Sequence, residues 1–354
     1  MLVSIIIDNY NYDRFVGAAI DSALNQTYHP IEVIVVDDGS TDGSRELING
    51  YGNQITPVLK SNGGQASALN AGFAHSHGDL VIFLDADDVL LPQAAQRVVD
   101  ALRSQPESAK IQYRMEVMLG NGTRTGVIKP PVHIPLPAGD LKRQEMLFPF
   151  DLPWLPTSGN AFTTLALRDI FPIPEDAYGK VGADWYLAHL TPLVGPVISL
   201  GEVCACYRVH QSNHYELSEP LLNLAHIRQT MIYCDITRNH LLKYADRLSL
   251  PDRPAEILSV SYMANRITSH KLDPDRHPIA GDTTGQLFRL ALASISRRFD
   301  IAWLMKIMLG LWFACMVIAP RSLAHRLAEV FFFPERRTHI NYWLGALHRP
   351  GERA

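Results

Sequence analysis

A chain of 354 residues, 47% hydrophobic and 19% charged, can bury a large core and exceeds one typical domain of roughly 100–200 residues, so a main domain with an appendage is expected. The formal net charge of −4 gives no basis for a nucleic-acid partner. Cys204, Cys206, Cys234 and Cys315 show neither metal-ligand pairing nor a disulfide framework, which fits a reducing compartment. The opening MLVSIII lacks a basic segment and runs into polar DNYNY, so no signal peptide is expected.

Leu2 to Ile7 reads as an apolar strand. Phe15, Val16, Ala19, Ile20, Ala23 and Leu24 then recur at helical spacing, with Asp13 as the cap. Ile31 to Val36 is a second strand, followed by a short helix capped by Ser40 or Thr41. A third strand, Ile55 to Leu59, leads into a helix over Gln65 to Ser76, and a fourth, Leu80 to Leu84, into a helix opening at Pro92. This alternation predicts an α/β fold whose mostly parallel sheet is flanked by helices, with ligands beyond the carboxyl ends of the strands. Ile111 to Leu119 and Thr123 to Ile128 form a hairpin turned at Asn121-Gly122. Cys204 and Cys206 fall on one face of a later strand as small apolar residues.

The strand ends carry polar clusters: Asp8-Asn9-Tyr10-Asn11, Asp37-Asp38-Gly39-Ser40, Lys60-Ser61-Asn62-Gly63-Gly64 and Asp85-Ala86-Asp87-Asp88. On one rim, these carboxylates would repel one another unless a cation sat among them, and oxygen-only ligands suit Mg²⁺ or Mn²⁺. Capping and turn formation explain Asp37, Asp42 and Asp88 equally well. For Asp85 and Asp87, beside a buried strand exit, that explanation is weaker.

No G-x-G-x-x-G follows the first strand and no G-x-x-x-x-G-K-[ST] occurs, which demotes dinucleotide dehydrogenases and P-loop NTPases. Gly120-Asn121-Gly122-Thr123-Arg124 is similar to the phosphate loop of sugar nucleotidyltransferases. It stands between two β-like runs instead of after the first strand, so a hairpin turn is the better reading.

Residues 1–215 resemble an inverting family 2 glycosyltransferase with a GT-A fold. The matching stretches are SIIIDNYNYDRFVGAAIDSALNQTY, IEVIVVDDGSTDGS, KSNGGQASALNAGFAHSHGDLVIFLDADD, PTSGNAF, GADWYLAHL and YRVHQSNHY. The resemblance implies that Asp8, Tyr10 and Asp38, with Asn62 and Gly63, hold the nucleotide of a nucleotide-sugar donor. Asp85 and Asp87 match its D-x-D motif, Asp87 as direct metal ligand and Asp85 nearer the ribose. Asp184 corresponds to the general base, and His210 and Asn213 to the motif that closes over the diphosphate. Thr157, Ser158, Gly159 and Asn160 match the acceptor segment. Two departures stand out: family members often carry Pro-Thr where this chain has Asp8-Asn9, and an arginine where Leu69 stands.

The Pro-rich stretch from Lys129 to Pro156 is expected to be an irregular connection. A helical extension over 216–300 follows, with amphipathic helices at Leu221 to Leu242 and Pro254 to Ser269. Residues 301–354 form an apolar, aromatic and arginine-rich tail. IAWLMKIMLGLWFACMVIAP, residues 301–320, is just long enough to span, but Arg297, Arg298, Arg321 and Arg326 flank it on both sides. A helix in the inner leaflet is favoured over a span or a soluble docked helix; Trp303, Trp312, Phe331 to Phe333, Tyr342 and Trp343 suit the headgroup zone. The resulting expectation is a hexosyltransferase on the cytoplasmic face of a membrane, moving a sugar from a UDP-linked donor to a hydroxyl of a surface glycan or lipid-linked oligosaccharide. A sugar nucleotidyltransferase and a non-catalytic nucleotide-sugar-binding protein are the alternatives.

Overall fold

The computed structural model describes residues 1–178, 182–210, 222–250 and 258–333. The chain divides into two compact units, Met1–Asn213 with Ile236–Arg253, and His214–Asp235 with Pro254–Ala354. This partition differs from the divisions at 215 and 300 drawn from sequence. Residues 236–253 join the first unit through side-chain bonds: the Tyr178 hydroxyl lies 3.3 Å from Thr237 Oγ1 and 3.1 Å from His240 Nδ1, and Arg247 reaches Asp169. No division falls near 300.

In the first unit the elements run β1 (Val3–Asn9), α1 (Asp13–Leu24), β2 (Ile31–Asp38), α2 (Ser44–Gly50), β3 (Thr56–Lys60), α3 (Gln65–Ala74) and β4 (Leu80–Asp85). They continue with β5 (Val89–Leu90), α4 (Ala94–Ser104), β6 (Lys110–Leu119), β7 (Arg124–Lys129), α5 (Lys142–Leu147), β8 (Asn160–Thr163), α6 (Thr164–Ile170), α7 (Glu175–Tyr178), α8 (Ala183–Val194) and β9 (Val197–Val209). The apolar runs of β1, β2 and β4 are buried on both faces, as β-branched strands covered by helices should be. Asp13 is the first residue of α1 and not its cap, and α2 starts at Ser44, where the Asp42 carboxylate accepts the Ser44 amide at 3.0 Å.

The sheet order is β3-β2-β1-β4-β8-β6-β9-β5, with β7 on β6. Its first four strands are parallel, as expected. Beyond β4 it is mixed: β8 runs antiparallel to β4 and β6, while β9 runs parallel to β6. The expected hairpin is present as β6–β7, turned through Gly122 at φ +88°. Cys204 and Cys206 are buried in β9.

β6 departs most from its sequence pattern. Its alternation predicts one wet face, yet Lys110, Gln112, Arg114 and Glu116 are all buried, because β8 and β9 flank the strand and the chain after β7 covers it. Gln112 donates to the Pro137 carbonyl at 2.8 Å, and the Arg114 guanidinium donates to the carbonyls of Pro130, Pro131, Val132 and Ile134. The Pro-rich connection is thus pinned from below, and it contains the short helix α5.

α9 (Leu224–Arg247) contributes to both units. The second continues with α10 (Val260–Leu272), α11 (Thr284–Arg297), α12 (Trp303–Ile318) and α13 (Arg321–Phe332). Met263, Leu287, Ala291, Phe313, Met316, Ala324 and Ala328 form its interior. Arg266 and His277 both pair with the buried carboxylate of Asp282. α12 has 16 residues, about 24 Å at 1.5 Å per residue. Among the described residues, no helix is long and apolar enough to cross a membrane. Arg336, Arg337, Tyr342 and Trp343 lie outside the described residues.

Candidate active site

Strand register assembles the rim. Asp8 pairs with Asp85 across β1 and β4, Asn9 with Asp37 across β1 and β2, and Asp38 with Lys60 across β2 and β3. Four clusters that are distant in sequence thereby share one edge of the sheet.

Half of this edge is internally satisfied. The Asp37 carboxylate accepts from Asn9 Nδ2 and Arg45 Nε at 3.0 and 2.7 Å and from the Ser40 amide, contacts that hold its pKa below the usual carboxylate value against the effect of burial. The Asp38 carboxylate accepts from Lys60 Nζ at 2.5 Å and from the amides of Gly63 and Gly64 at 3.0 and 2.7 Å, so it shapes the third loop. Gly39 is required where that loop meets the second: its φ is +85°, and a Cβ there would lie 2.5 Å from the Asn62 amide nitrogen. Tyr10, Asn62 and Gly63 stand exposed at this side.

The other half is electrostatically frustrated. Burial, then the charge of Asp87, pushes Asp8 up to about 7, and Asp8 Oδ1 is buried without a hydrogen bond. Burial raises Asp85 as well, with repulsion from Asp8, Asp88, Asp87 and Asp184. Asp88, also raised by burial and Asp87, accepts the Arg208 amide at 2.8 Å and keeps Oδ2 unpartnered. Asp87 Oδ2 lies 2.9 Å from His210 Nε2, and the imidazole is seated on Phe15 with ring centroids 4.7 Å apart. Crowded carboxylates with orphaned oxygens are what a cation relieves. Among the described residues no three acidic, histidine or cysteine side chains form a ready cage. The oxygen-only donors of this rim would suit a Mg²⁺-type ion only with one or two carboxylates and the remaining positions filled by phosphate oxygens.

Asp184 lies in the first turn of α8, after Gly182 at φ +114°, and is not the helix cap. Its carboxylate accepts the Trp185 amide at 2.7 Å. Burial raises its pKa, opposed by that bond and by His189 and Lys110. Its charge adds to those that raise Asp85.

Among the remaining expected residues, Ser158 is buried and its hydroxyl accepts the Asp85 amide at 3.0 Å. Thr157 is buried, and the Asn160 amide donates to the carbonyls of Leu155 and Pro156 at 3.2 and 2.7 Å, which ties down the segment around Gly159. Asn213 lies outside the described residues. Sequence reading missed Gln65, whose amide joins Asp85 at 3.1 Å to Thr157 at 3.5 Å. It also missed Arg208, which donates from Nε to the Asp87 carbonyl at 2.6 Å, and the buried set of Lys110, Glu145 and His189. Arg208, two residues before His210 in a quoted stretch, was the one with a usable signal.

Comparison with known proteins agrees with this geometry. The family model described as Glycosyl transferase family 2 matches residues 4–153. An uncharacterized glycosyltransferase of Nostoc sp. (strain PCC 7120) is 35% identical over 221 residues, covering 61% of this chain and 67% of the relative. A chondroitin synthase of Pasteurella multocida is 45% identical over 98 residues, 27% of this chain but 10% of the synthase. Among solved structures, S. aureus TarS 1-349 in complex with UDP-GlcNAc superposes with a TM-score of 0.53 at 16% identity, covering 94% of this chain and 91% of that one, which shows a shared fold. An α/β sheet with an acidic rim at its strand ends, in this company, defines a GT-A glycosyltransferase. The chain belongs to glycosyltransferase family 2.

Proposed function

We propose that this enzyme transfers a sugar, with inversion, from a UDP-sugar to a hydroxyl of a surface glycan or lipid-linked oligosaccharide. The observation that carries the reading is a carboxylate, Asp184, buried in the first turn of α8 and near enough to the rim for its charge to raise Asp85. Asp184 takes the proton of the acceptor hydroxyl while that oxygen attacks the anomeric carbon from the face opposite the leaving group. The bond from anomeric carbon to diphosphate breaks, and its electron pair leaves on the diphosphate oxygen. Asp87, with Asp85 beside it, would hold a Mg²⁺ or Mn²⁺ ion, whose chemistry is neutralisation of charge on the departing diphosphate. Tyr10, Asn62 and Gly63 line the nucleotide side with Asp8, Asp38 orders their loop, and Thr157 to Asn160 border the acceptor side. A UDP-GlcNAc-bound fold neighbour supports a nucleotide-sugar donor, and the partial match to a chondroitin synthase supports a glycan acceptor.

Incubation with UDP-, GDP- and dTDP-sugars tests this, with released nucleotide and product anomer read by NMR. UDP release with an inverted product is expected. Pyrophosphate release would instead mark a nucleotidyltransferase, and binding without turnover a binding protein.

The proposal includes a lipid surface at the inner face of the cell membrane. Trp303, Ile307, Leu311 and Ile318 repeat at helical spacing along one exposed side of α12, with Trp303 72% and Ile318 79% exposed, and exposed Arg321 and Arg326 follow on α13. Wild-type protein should pellet with anionic liposomes, and an Ile307→Glu, Leu311→Glu variant should not. Equal pelleting would remove this face from the account.

A further inference from the structure

Beneath Asp184 lies a charge that neither the metal nor the nucleotide accounts for. Lys110, at the start of β6, has no exposed surface, and its Nζ has no hydrogen-bond partner. It sits 4.1 Å from the ring centroid of Trp154. Beside it, buried Glu145 of α5 lies 3.0 Å through Oε2 from Nδ1 of buried His189 of α8. The His189 ring is flanked by Phe150 and Trp185, with centroids 5.2 and 5.1 Å away.

Burying an ammonium without a hydrogen bond is costly, and an apolar side chain of similar volume would stabilise this position better. The compensation here is the indole face and two carboxylates. The Trp154 ring that Lys110 lies over is 6.3 Å from the His189 ring, His189 packs on Trp185, and the Trp185 amide donates to Asp184, so Lys110, Glu145, His189 and Asp184 belong to one buried cluster. Within it the charges of Glu145 and Asp184 favour the ammonium, those of His189 and Lys110 favour the Asp184 carboxylate, and Asp184 and Asp85 repel each other. Asp184 therefore lies between an acidic edge that drives a proton onto it and a basic interior that removes one.

We propose that Lys110 is a positioning residue for transfer: its buried ammonium is the counter-charge that keeps Asp184 ionised and able to accept the proton of the acceptor. This rests on the reading of Asp184 as the base. Burial lowers Lys110 to about 7 against the pull of Glu145 and Asp184, so its positive charge is present in the mildly acidic range where Asp184 would otherwise be protonated.

The test is Lys110→Met, with Lys110→Leu read in the same way should the methionine variant fold poorly. The aspartate carboxyl carbons of ¹³C-labelled protein are titrated by NMR, and Asp184→Asn assigns the resonance. The Asp184 midpoint should rise by about one pH unit in Lys110→Met. The acid limb of turnover should move up equally, so that the loss is largest, up to about tenfold, at the acid end of the profile and shrinks toward alkaline pH. An unmoved Asp184 midpoint, or an activity loss equal at all pH values, would overturn the proposal. If Asp184→Asn turns over normally, the base assignment fails; if it is inactive while the Lys110→Met limb stays in place, only the role of Lys110 fails.

Discussion

His210, carried at the end of β9, lies 2.9 Å from the carboxylate of Asp87 at the end of β4, so the last strand of the sheet closes on the acidic turn of the fourth. The bond engages Oδ2 of Asp87. In Asp87→Asn, calorimetry should show UDP affinity in Mn²⁺ falling at least about tenfold and becoming insensitive to chelator. In His210→Ala, UDP affinity should change little, while turnover drops by roughly 10², the loss expected when one donor to a developing anion is removed. Equal UDP binding by wild-type and Asp87→Asn protein would end the metal assignment.

Asp184→Asn should separate chemistry from binding. The side chain lies on α8 and not on the nucleotide loops, so UDP affinity should stay within about twofold while transfer falls by roughly 10² to 10⁴. Single-turnover assays at saturating donor measure this directly.

Asp8 makes metal-free stability depend on pH. Its folded value of about 7 lies above the 3.8 of an unperturbed aspartate, so between them the folded state keeps a proton that the unfolded state has lost. That contribution is complete below the unfolded value and is lost as pH rises through the folded one. Asp8→Asn should therefore melt above wild type by about 2–4 °C more at pH 8 than at pH 5 in EDTA, as read by scanning calorimetry. A constant difference across that range would mean that Asp8 is already ionised in the folded protein.

Arg114 holds four successive parts of one connection. Arg114→Ala leaves the part-buried carbonyls at Pro130, Pro131, Val132 and Ile134 without their donor and should cost about 1.5–3 kcal/mol. Hydrogen exchange should accelerate in residues 130–140 before the rest of the first unit. Arg114→Lys should not restore protection, because a single ammonium cannot reproduce the planar fork.

Much of this was legible in the sequence where local chemistry and tertiary position agree. SIII, VIVV and LVIFL are apolar in both senses, and the polar run after each had to fall at a strand end. Legibility failed at β6. Lys110, Gln112, Arg114 and Glu116 alternate with apolar residues as on a half-wet strand, and only the connection over 130–154, laid across that face, puts it indoors. The Glu145–His189 pair spans 44 positions and has no local signal, so Lys110 could not be distinguished from a surface lysine.

β9 also has a consequence for biosynthesis. The Arg208 amide meets the Asp88 carboxylate across 120 residues of chain, and the Arg208 side chain meets the Asp87 carbonyl across 121. While the chain is emerging from a ribosome, the first four strands can pair and expose a complete row of aspartates well before β9 exists. During that interval the half-built edge is an acidic strip without Arg208 and His210, and the docking of β9 is what covers it.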